Sequence, residues 1–260
     1  METASKLTIV FLHGFGGTHF DFDEIISFFP SFIKTRTITL SGHEKTPPLN
    51  FIEDEIERLA SLLAALQNGA PLLLCGYSMG GRLATLLSQK INIDGLILLS
   101  SGIGENPETK EIRQKKDQEW AQLLKTDSTL FYKKWYAQDL FKNFEQISPL
   151  KKEKWLELKT RHDPKDLAII LEQFGPTKHL ELSSIIKKQK NVLYLSGELD
   201  KKYTELGKKL KNDLTHLNHE IIKDVGHLLP LEAPRECADH ICRWVHEKIE
   251  NKEILWKKEK

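Results

Sequence analysis

The chain has 260 residues, 40% hydrophobic and 29% charged, with 38 Lys+Arg against 37 Asp+Glu for a formal net charge of +1. Balanced charge excludes a polyanion binder driven by bulk electrostatics, so no nucleic-acid partner is expected. The apolar content excludes intrinsic disorder, and a chain this long buries one large core or two small ones. Met1-Glu2-Thr3-Ala4-Ser5-Lys6 lacks the basic-then-apolar profile of a signal peptide, and no apolar block approaches the roughly 20 residues of a membrane helix. A cytoplasmic protein without membrane insertion is expected. Cys75, Cys237 and Cys242 are odd in number and lack CxxC spacing, so neither a disulfide framework nor a thiolate zinc site is expected. His216 and His219 lack a third metal ligand nearby in sequence.

In chain order, residues 7–12 form the first apolar, β-branched block and read as a strand. His13-Gly14-Phe15-Gly16-Gly17 follows directly. A turn with so little side chain leaves backbone N–H groups free to meet developing negative charge. The N–H groups of Phe15 and Met79 are the expected oxyanion donors, each worth about 3 kcal/mol in a transition state. His13 itself reads as a structural, hydrogen-bonded residue. A second strand is expected at 36–40. Residues 51–67 carry Ile52, Ile56, Leu59, Leu63 and Leu66 at three- and four-residue spacings, with charged residues between, which predicts a helix with one buried face.

The third strand, 71–76, runs into Gly76-Tyr77-Ser78-Met79-Gly80-Gly81, and an amphipathic helix is expected from Arg82 to Lys90. This is the strand–turn–helix setting of G-x-S-x-G, the nucleophile elbow of α/β-hydrolases. A serine on so sharp a turn needs neighbours without a Cβ, because only glycine lets strand and helix approach so closely. The following helix aims its N–H groups and positive dipole end at the space above Ser78 Oγ. A serine hydroxyl is a poor nucleophile and base at neutral pH, and needs an imidazole held by a carboxylate.

After a fourth strand at 95–100 the strand pattern stops. Residues 104–190 place Trp120, Leu123, Leu124, Phe131, Trp135 and Tyr136 among Lys, Glu and Gln without strand-like blocks, so an inserted helical region is expected. That region holds 18 Lys+Arg and 14 Asp+Glu, whereas residues 1–100 hold 7 and 10. The excess fits either a lysine-rich solvated face or a surface that attracts an anionic ligand. Strands return at 191–196 and 220–224, all six blocks being apolar enough to predict a sheet covered on both faces. Asp200 follows the fifth strand and His227 the sixth, in the order serine, acid, histidine that this fold requires. Glu198 and Asp224 are rival acids; Asp200 is preferred because its loop gives it reach, and Asp213 falls within a helix. Residues 251–260 read as a charged helix end that frays.

Gly76-Tyr77-Ser78-Met79-Gly80-Gly81-Arg82, with arginine closing the elbow, resembles the 2-succinyl-6-hydroxy-2,4-cyclohexadiene-1-carboxylate synthase family of menaquinone biosynthesis. The resemblance extends over most of the chain through Leu12-His13-Gly14-Phe15-Gly16-Gly17, Leu40-Ser41-Gly42-His43, Arg113-Gln114-x-x-Asp117-x-x-Trp120-Ala121, Trp135-Tyr136 with Leu140-Phe141, Gly197-Glu198-x-Asp200 and Gly226-His227. Members are lyases that remove pyruvate from a cyclohexene tricarboxylate bearing an enolpyruvyl ether, without metal or organic cofactor. The resemblance implies that Ser78 acts as a base supported by His227 and Asp200. It also implies that Arg82 and Arg113 hold substrate carboxylates, that a third basic position is Arg161 or Lys159, and that Tyr77 and Trp135 lie near the ligand. A planar guanidinium suits that task because it grips a carboxylate at two points. The sequence departs from the family in loops, at Ser41 and Glu44, at Gly175-Pro176-Thr177 and at Pro230.

The expected protein is thus an α/β-hydrolase: a mostly parallel sheet flanked by helices, its core from 1–103 and 191–260, with 104–190 as a helical cap. Its expected partner is a small anionic polycarboxylate substrate, and nothing in the sequence bears on subunit number. The rival enzyme reading is a serine carboxylesterase or C–C bond hydrolase of the same fold, acting through an acyl-enzyme.

Overall fold

Residues 7–66, 69–104, 107–178 and 181–249 are described by a computed structural model. Six parallel strands, β1 (Leu7–Leu12), β2 (Ile33–Ile38), β3 (Leu72–Tyr77), β4 (Gly95–Leu99), β5 (Val192–Gly197) and β6 (Leu217–Ile222), form one sheet in the order β2-β1-β3-β4-β5-β6. The connections are helical. α1 (Asp23–Ile26) lies between β1 and β2, α2 (Ile52–Leu63) joins β2 to β3, and α3 (Met79–Leu87) joins β3 to β4. Between β4 and β5 come α4 (Lys110–Thr126), α5 (Ser128–Tyr136), α6 (Pro149–Lys159), α7 (Pro164–Gln173) and α8 (Ser183–Ile186). α9 (Lys201–Asp213) joins β5 to β6, and α10 (Leu229–Glu232) and α11 (Pro234–Lys248) follow.

Side chains alternate across a strand, so Ile9 and Phe11 of β1 point to one face of the sheet while Val10 and Leu12 point to the other. Two cores result. On one face Ile97, Leu99, Leu193 and Leu195 pack with Cys237, Ile241 and Trp244 of α11. On the other, Leu74, Leu98 and Tyr194 pack with Ile56 and Leu59 of α2 and Leu83 and Leu87 of α3. A third, smaller core lies between β4 and β5 in sequence: Ala121 and Leu124 of α4, Phe131 of α5, and Leu167 and Leu171 of α7, with Phe15 from the loop after β1 packed against it. Local signals start these helices. Asp127 accepts from Leu130 N–H and Asp163 from Lys165 N–H as N-caps, and Pro149 and Pro164 open α6 and α7, where a missing N–H is tolerated.

Two strand expectations need correction. The strand expected at 36–40 is Ile33–Ile38, and that expected at 220–224 is Leu217–Ile222. Both are edge strands with partly exposed faces, so Lys34, Arg36, Asn218 and Glu220 sit within them, and only β1, β3, β4 and β5 are covered on both sides. The first helix after β2 ends at Leu63 with a 3-10 turn over Ala64–Leu66, and the helix after the elbow begins at Met79 rather than Arg82. The expectation for 251–260 lies outside the described residues. No described helix is long and apolar enough to cross a membrane.

Candidate active site

β3 delivers Tyr77 to the carboxyl end of the sheet, and Ser78 stands between strand and α3 at φ 51°, ψ −109°. A non-glycine residue there is strained, and β4 holds it: Ser78 N–H donates to Leu99 O (2.9 Å), and Ser101 Oγ–H donates to Ser78 O (3.0 Å). The elbow glycines allow the approach. A Cβ on Gly80 would lie 2.0 Å from Leu12 O, so α3 rides directly on the end of β1.

β5 ends at Gly197, and Asp200 N–H donates back to Gly197 O (2.9 Å), closing the turn that leads into α9. Asp200 Oδ2 lies 2.6 Å from His227 Nδ1, and His227 Nε2 lies 3.3 Å from Ser78 Oγ. Both Asp200 and His227 are buried. The carboxylate accepts a hydrogen bond from Nδ1–H, which leaves the unprotonated Nε2 facing the serine hydroxyl. Asp200, and no rival acid, holds the imidazole: Glu198 accepts from Asp224 N–H (3.1 Å), Asp224 is itself exposed, and Asp213 is exposed at the end of α9. Rings of Tyr203 (4.8 Å), Tyr77 (5.4 Å) and Phe141 (5.7 Å) surround His227.

A residue that sequence reasoning missed secures this histidine. The Glu232 carboxylate accepts from Gly226 N–H (2.6 Å) and Leu228 N–H (3.0 Å), the peptides that flank His227, and also from Asn143 Nδ2. Nothing in Leu229-Pro230-Leu231-Glu232 distinguishes this carboxylate from a solvated helical one, and its partner Asn143 is 89 residues away.

The glycine turn after β1 is held by three imidazoles. Gly16 N–H donates to His43 Nε2 (3.0 Å), and His162 Nε2–H donates to Gly16 O (3.0 Å). His13 has the structural role expected of it: Nδ1–H donates to Gly14 O (2.8 Å) and Nε2 accepts from Leu40 N–H (3.1 Å). Burial keeps all three neutral, pushing His13 down to about 3, His162 down to about 4 and His43 well below the ordinary imidazole value. Phe15, in this turn, and Met79, whose N–H opens α3 without a carbonyl partner in its own helix, both line the cavity above Ser78.

That cavity lies between the sheet and helices α4 to α7 and opens to solvent. Ser78, His227, Phe15, Met79, Tyr77, Trp135, Arg82, Arg113 and Lys159 all line it; Asp200 stands behind His227. Among the described residues, five cationic side chains face two carboxylates there, because Lys116 and Lys202, which the sequence reading did not single out, join Arg82, Arg113 and Lys159 opposite Asp21 and Asp117. Lys159 is buried, with Nζ 2.7 and 2.9 Å from the Asp21 oxygens and 3.7 Å from the Trp155 ring centre. Its burial lowers its pKa, and Asp21 opposes that shift. Arg113 Nε pairs with Asp117 Oδ1 (2.8 Å), one helical turn along α4, and buried Arg82 donates from Nη1 to Phe174 O (2.8 Å) at the end of α7. Arg161 is a correction: it is exposed, its guanidinium lies over the Phe20 ring at 5.3 Å, and it does not line the cavity. One residue, Thr160, separates it from Lys159, and the chain at the end of α6 turns one side chain inward and the other outward. His219 Nε2 lies 2.9 Å from Ser196 Oγ, and no group of three or more His, Cys, Asp or Glu placed to hold a metal ion occurs among the described residues.

A family model for the alpha/beta hydrolase family matches residues 9–240. A protein of Escherichia coli O1:K1 / APEC named 2-succinyl-6-hydroxy-2,4-cyclohexadiene-1-carboxylate synthase is 25% identical over 232 residues, covering 87% of this chain and 88% of its own. A protein of the same name from Shigella dysenteriae serotype 1 (strain Sd197) is 26% identical over 233 residues, with the same coverage of 87% and 88%. Among solved structures, MenH from S. aureus matches with a TM-score of 0.89 at 25% identity, covering 95% of this chain and 96% of its own. A thermophilic esterase from Thermogutta terrifontis shares the fold at a TM-score of 0.79 and 20% identity, covering 94% of this chain and 91% of its own. The resemblance drawn from the sequence motifs and these likenesses agree.

Proposed function

The chain belongs to the alpha/beta hydrolase family, and from that premise we propose that it is a synthase of the menaquinone pathway. In this reading it is a cofactor-independent lyase that eliminates pyruvate from 2-succinyl-5-enolpyruvyl-6-hydroxy-3-cyclohexene-1-carboxylate to give 2-succinyl-6-hydroxy-2,4-cyclohexadiene-1-carboxylate. The observation that carries it is the Ser78–His227–Asp200 chain, at 3.3 and 2.6 Å, opening beneath a cavity whose lining has more cations than carboxylates. The names of the E. coli, Shigella and S. aureus relatives support the choice of reaction.

The chemistry follows from the substrate's connectivity. The ring proton beside the succinyl ketone is acidified by that carbonyl. Its C–H electrons shift through the ring alkene into the new diene, and the C–O bond to the enolpyruvyl group breaks. Enolpyruvate leaves and takes up a proton to become pyruvate. Ser78 Oγ takes the ring proton while its own passes to His227 Nε2, and Asp200 stabilises the imidazolium. The Phe15 and Met79 amides meet the charge that develops on the ketone oxygen. Arg82 and Arg113 hold carboxylates, with Lys116 and Lys202 adding positive field at the rim. Lys159, already paired with Asp21, fixes the cavity wall more than it offers a free charge. Tyr77 and Trp135 shape the apolar side. Residues 104–190 act as the cap of a core made by 1–103 and 191–260, closing the cavity against water.

Supplying the enolpyruvyl precursor to the purified chain and following pyruvate is the direct test. Folded protein that releases none removes this reading. Covalent trapping at Ser78 by an ester substrate, without pyruvate release, would select the acyl-transfer alternative that the same serine, imidazole and carboxylate could serve.

A further inference from the structure

His162 lies in the link between α6 and α7, outside the lining of the cavity, and takes no part in the proposed chemistry. Both ring nitrogens are nevertheless engaged: Nε2–H donates to Gly16 O (3.0 Å), and Nδ1 accepts from Glu44 N–H (2.9 Å). These partners lie in two different loops of the sheet, 146 and 118 residues away. The ring also meets His43 edge-on at 5.2 Å, and His43 takes the N–H of the same Gly16. Gly16 is therefore gripped at both its N–H and its C=O by imidazoles, one from the loop after β2 and one from the helices between β4 and β5.

Gly16 needs such a grip. It sits at φ +64°, a conformation that L side chains rarely adopt, and it has no side chain of its own to anchor it, so its backbone hydrogen bonds must hold it. Its preceding residue is Phe15, one of the two expected oxyanion donors. α7 is pinned at its other end as well, through Arg82 and Phe174 O beside the elbow. The one helix thus spans from the oxyanion turn to the serine turn.

We infer that His162 is a positioning residue for the oxyanion turn: Gly14 O, which shares a peptide with the Phe15 N–H, is held by His13 and by Gly17 N–H, and the His162 bond to Gly16 O fixes the following peptide of the same turn, so that docking of the α6–α7 link completes the site. The inference rests on the proposed role of Phe15. It makes the region from α4 to α8 a condition for charge stabilisation as well as a cover over the substrate.

Two substitutions separate this role from simple packing. In His162→Asn the side-chain amide oxygen takes the place of Nδ1 and keeps the Glu44 anchor, but nothing reaches Gly16. In His162→Gln an amide N–H takes the place of Nε2 and keeps the Gly16 bond. Pyruvate release and amide hydrogen exchange at Gly16 are measured for both, with melting temperature as the check on folding. For Asn we expect kcat lower by about 100-fold, the loss typical of one oxyanion donor, with KM within about twofold and faster Gly16 exchange. Gln should recover about tenfold or more of that loss. Equal kcat for wild type and Asn would overturn the inference, as would a loss that appears only in KM or only in melting temperature. Should the wild-type chain release no pyruvate, the proposed reaction fails by itself. Gly16 exchange then decides: unchanged exchange in the Asn variant overturns the inference, and faster exchange restored by Gln supports it.

Discussion

Asp200 touches nothing in the cavity, yet the site depends on it, because an imidazole that is not told which nitrogen to protonate cannot face Ser78 with the free one. Asp200→Asn should therefore lower kcat by about 10⁴-fold while leaving KM nearly unchanged. Ser78→Ala should abolish pyruvate release with little change in melting temperature, since its side chain supplies chemistry and no buried packing; turnover within tenfold of wild type would refute the assignment. Arg82→Ala is expected to raise KM and also lower stability by about 1–3 kcal/mol, because its guanidinium holds the buried Phe174 carbonyl. Steady-state kinetics and denaturant melts separate the two effects. At this scale the serine, acid and histidine were legible because a strained turn needs glycine neighbours and because the chain order of the fold is restrictive. The choice between Lys159 and Arg161 was not legible. It depends on which way the last turn of α6 faces, and that is decided by Asp21, 138 residues earlier.

Among the elements, β1, β3, β4 and β5 could be read almost to the residue, since a strand covered on both faces is an unbroken apolar run. β2 and β6 could not, because an edge strand tolerates lysine and glutamate wherever its faces meet water. Contact between α3 and β1 is the tightest constraint at this level. Gly80→Ala forces a methyl group against the Leu12 and His13 carbonyls, so we expect destabilisation of about 3 kcal/mol or failure to fold. A soluble Gly80→Ala variant of unchanged stability, measured by denaturant unfolding, would mean that the helix does not lie so close to the strand. The caps of α5 and α7 were hidden for another reason: Asp127 and Asp163 look like any surface carboxylate until the helix behind them is known.

For the whole molecule, the three neutral imidazoles make stability depend on pH. Each of His13, His43 and His162 has a lowered pKa when folded and an ordinary one, near 6.5, when unfolded, so each takes up a proton on unfolding in the interval between. Their contribution is fully present above about 6.5 and is lost as pH falls toward about 4 for His162 and about 3 for His13. Near pH 5 the unfolding free energy should fall with acidification by about 4 kcal/mol per unit, the slope for about three protons. A flat stability profile from pH 6.5 to 5 would contradict that arrangement. The cationic lining predicts a second global effect: kcat/KM for a polyanionic substrate should fall by about tenfold or more as salt rises from low to about 0.5 M. An uncharged ester substrate should show no such decline.

The succession of strands and helices along the chain, the elbow, and the succession of serine, acid and histidine are properties of the chain itself, because each is imposed by local sterics or by connectivity between neighbouring elements. Tertiary structure alone decided that Glu232 and Asn143 would brace His227, that Lys159 would turn to Asp21, and that His162 would reach back to Gly16. Each of those contacts joins a polar group to a partner remote in sequence, apart from the Glu232 bonds to the neighbouring peptides. Hydrogen-bond geometry selects the partner only after packing has brought both into a space without water.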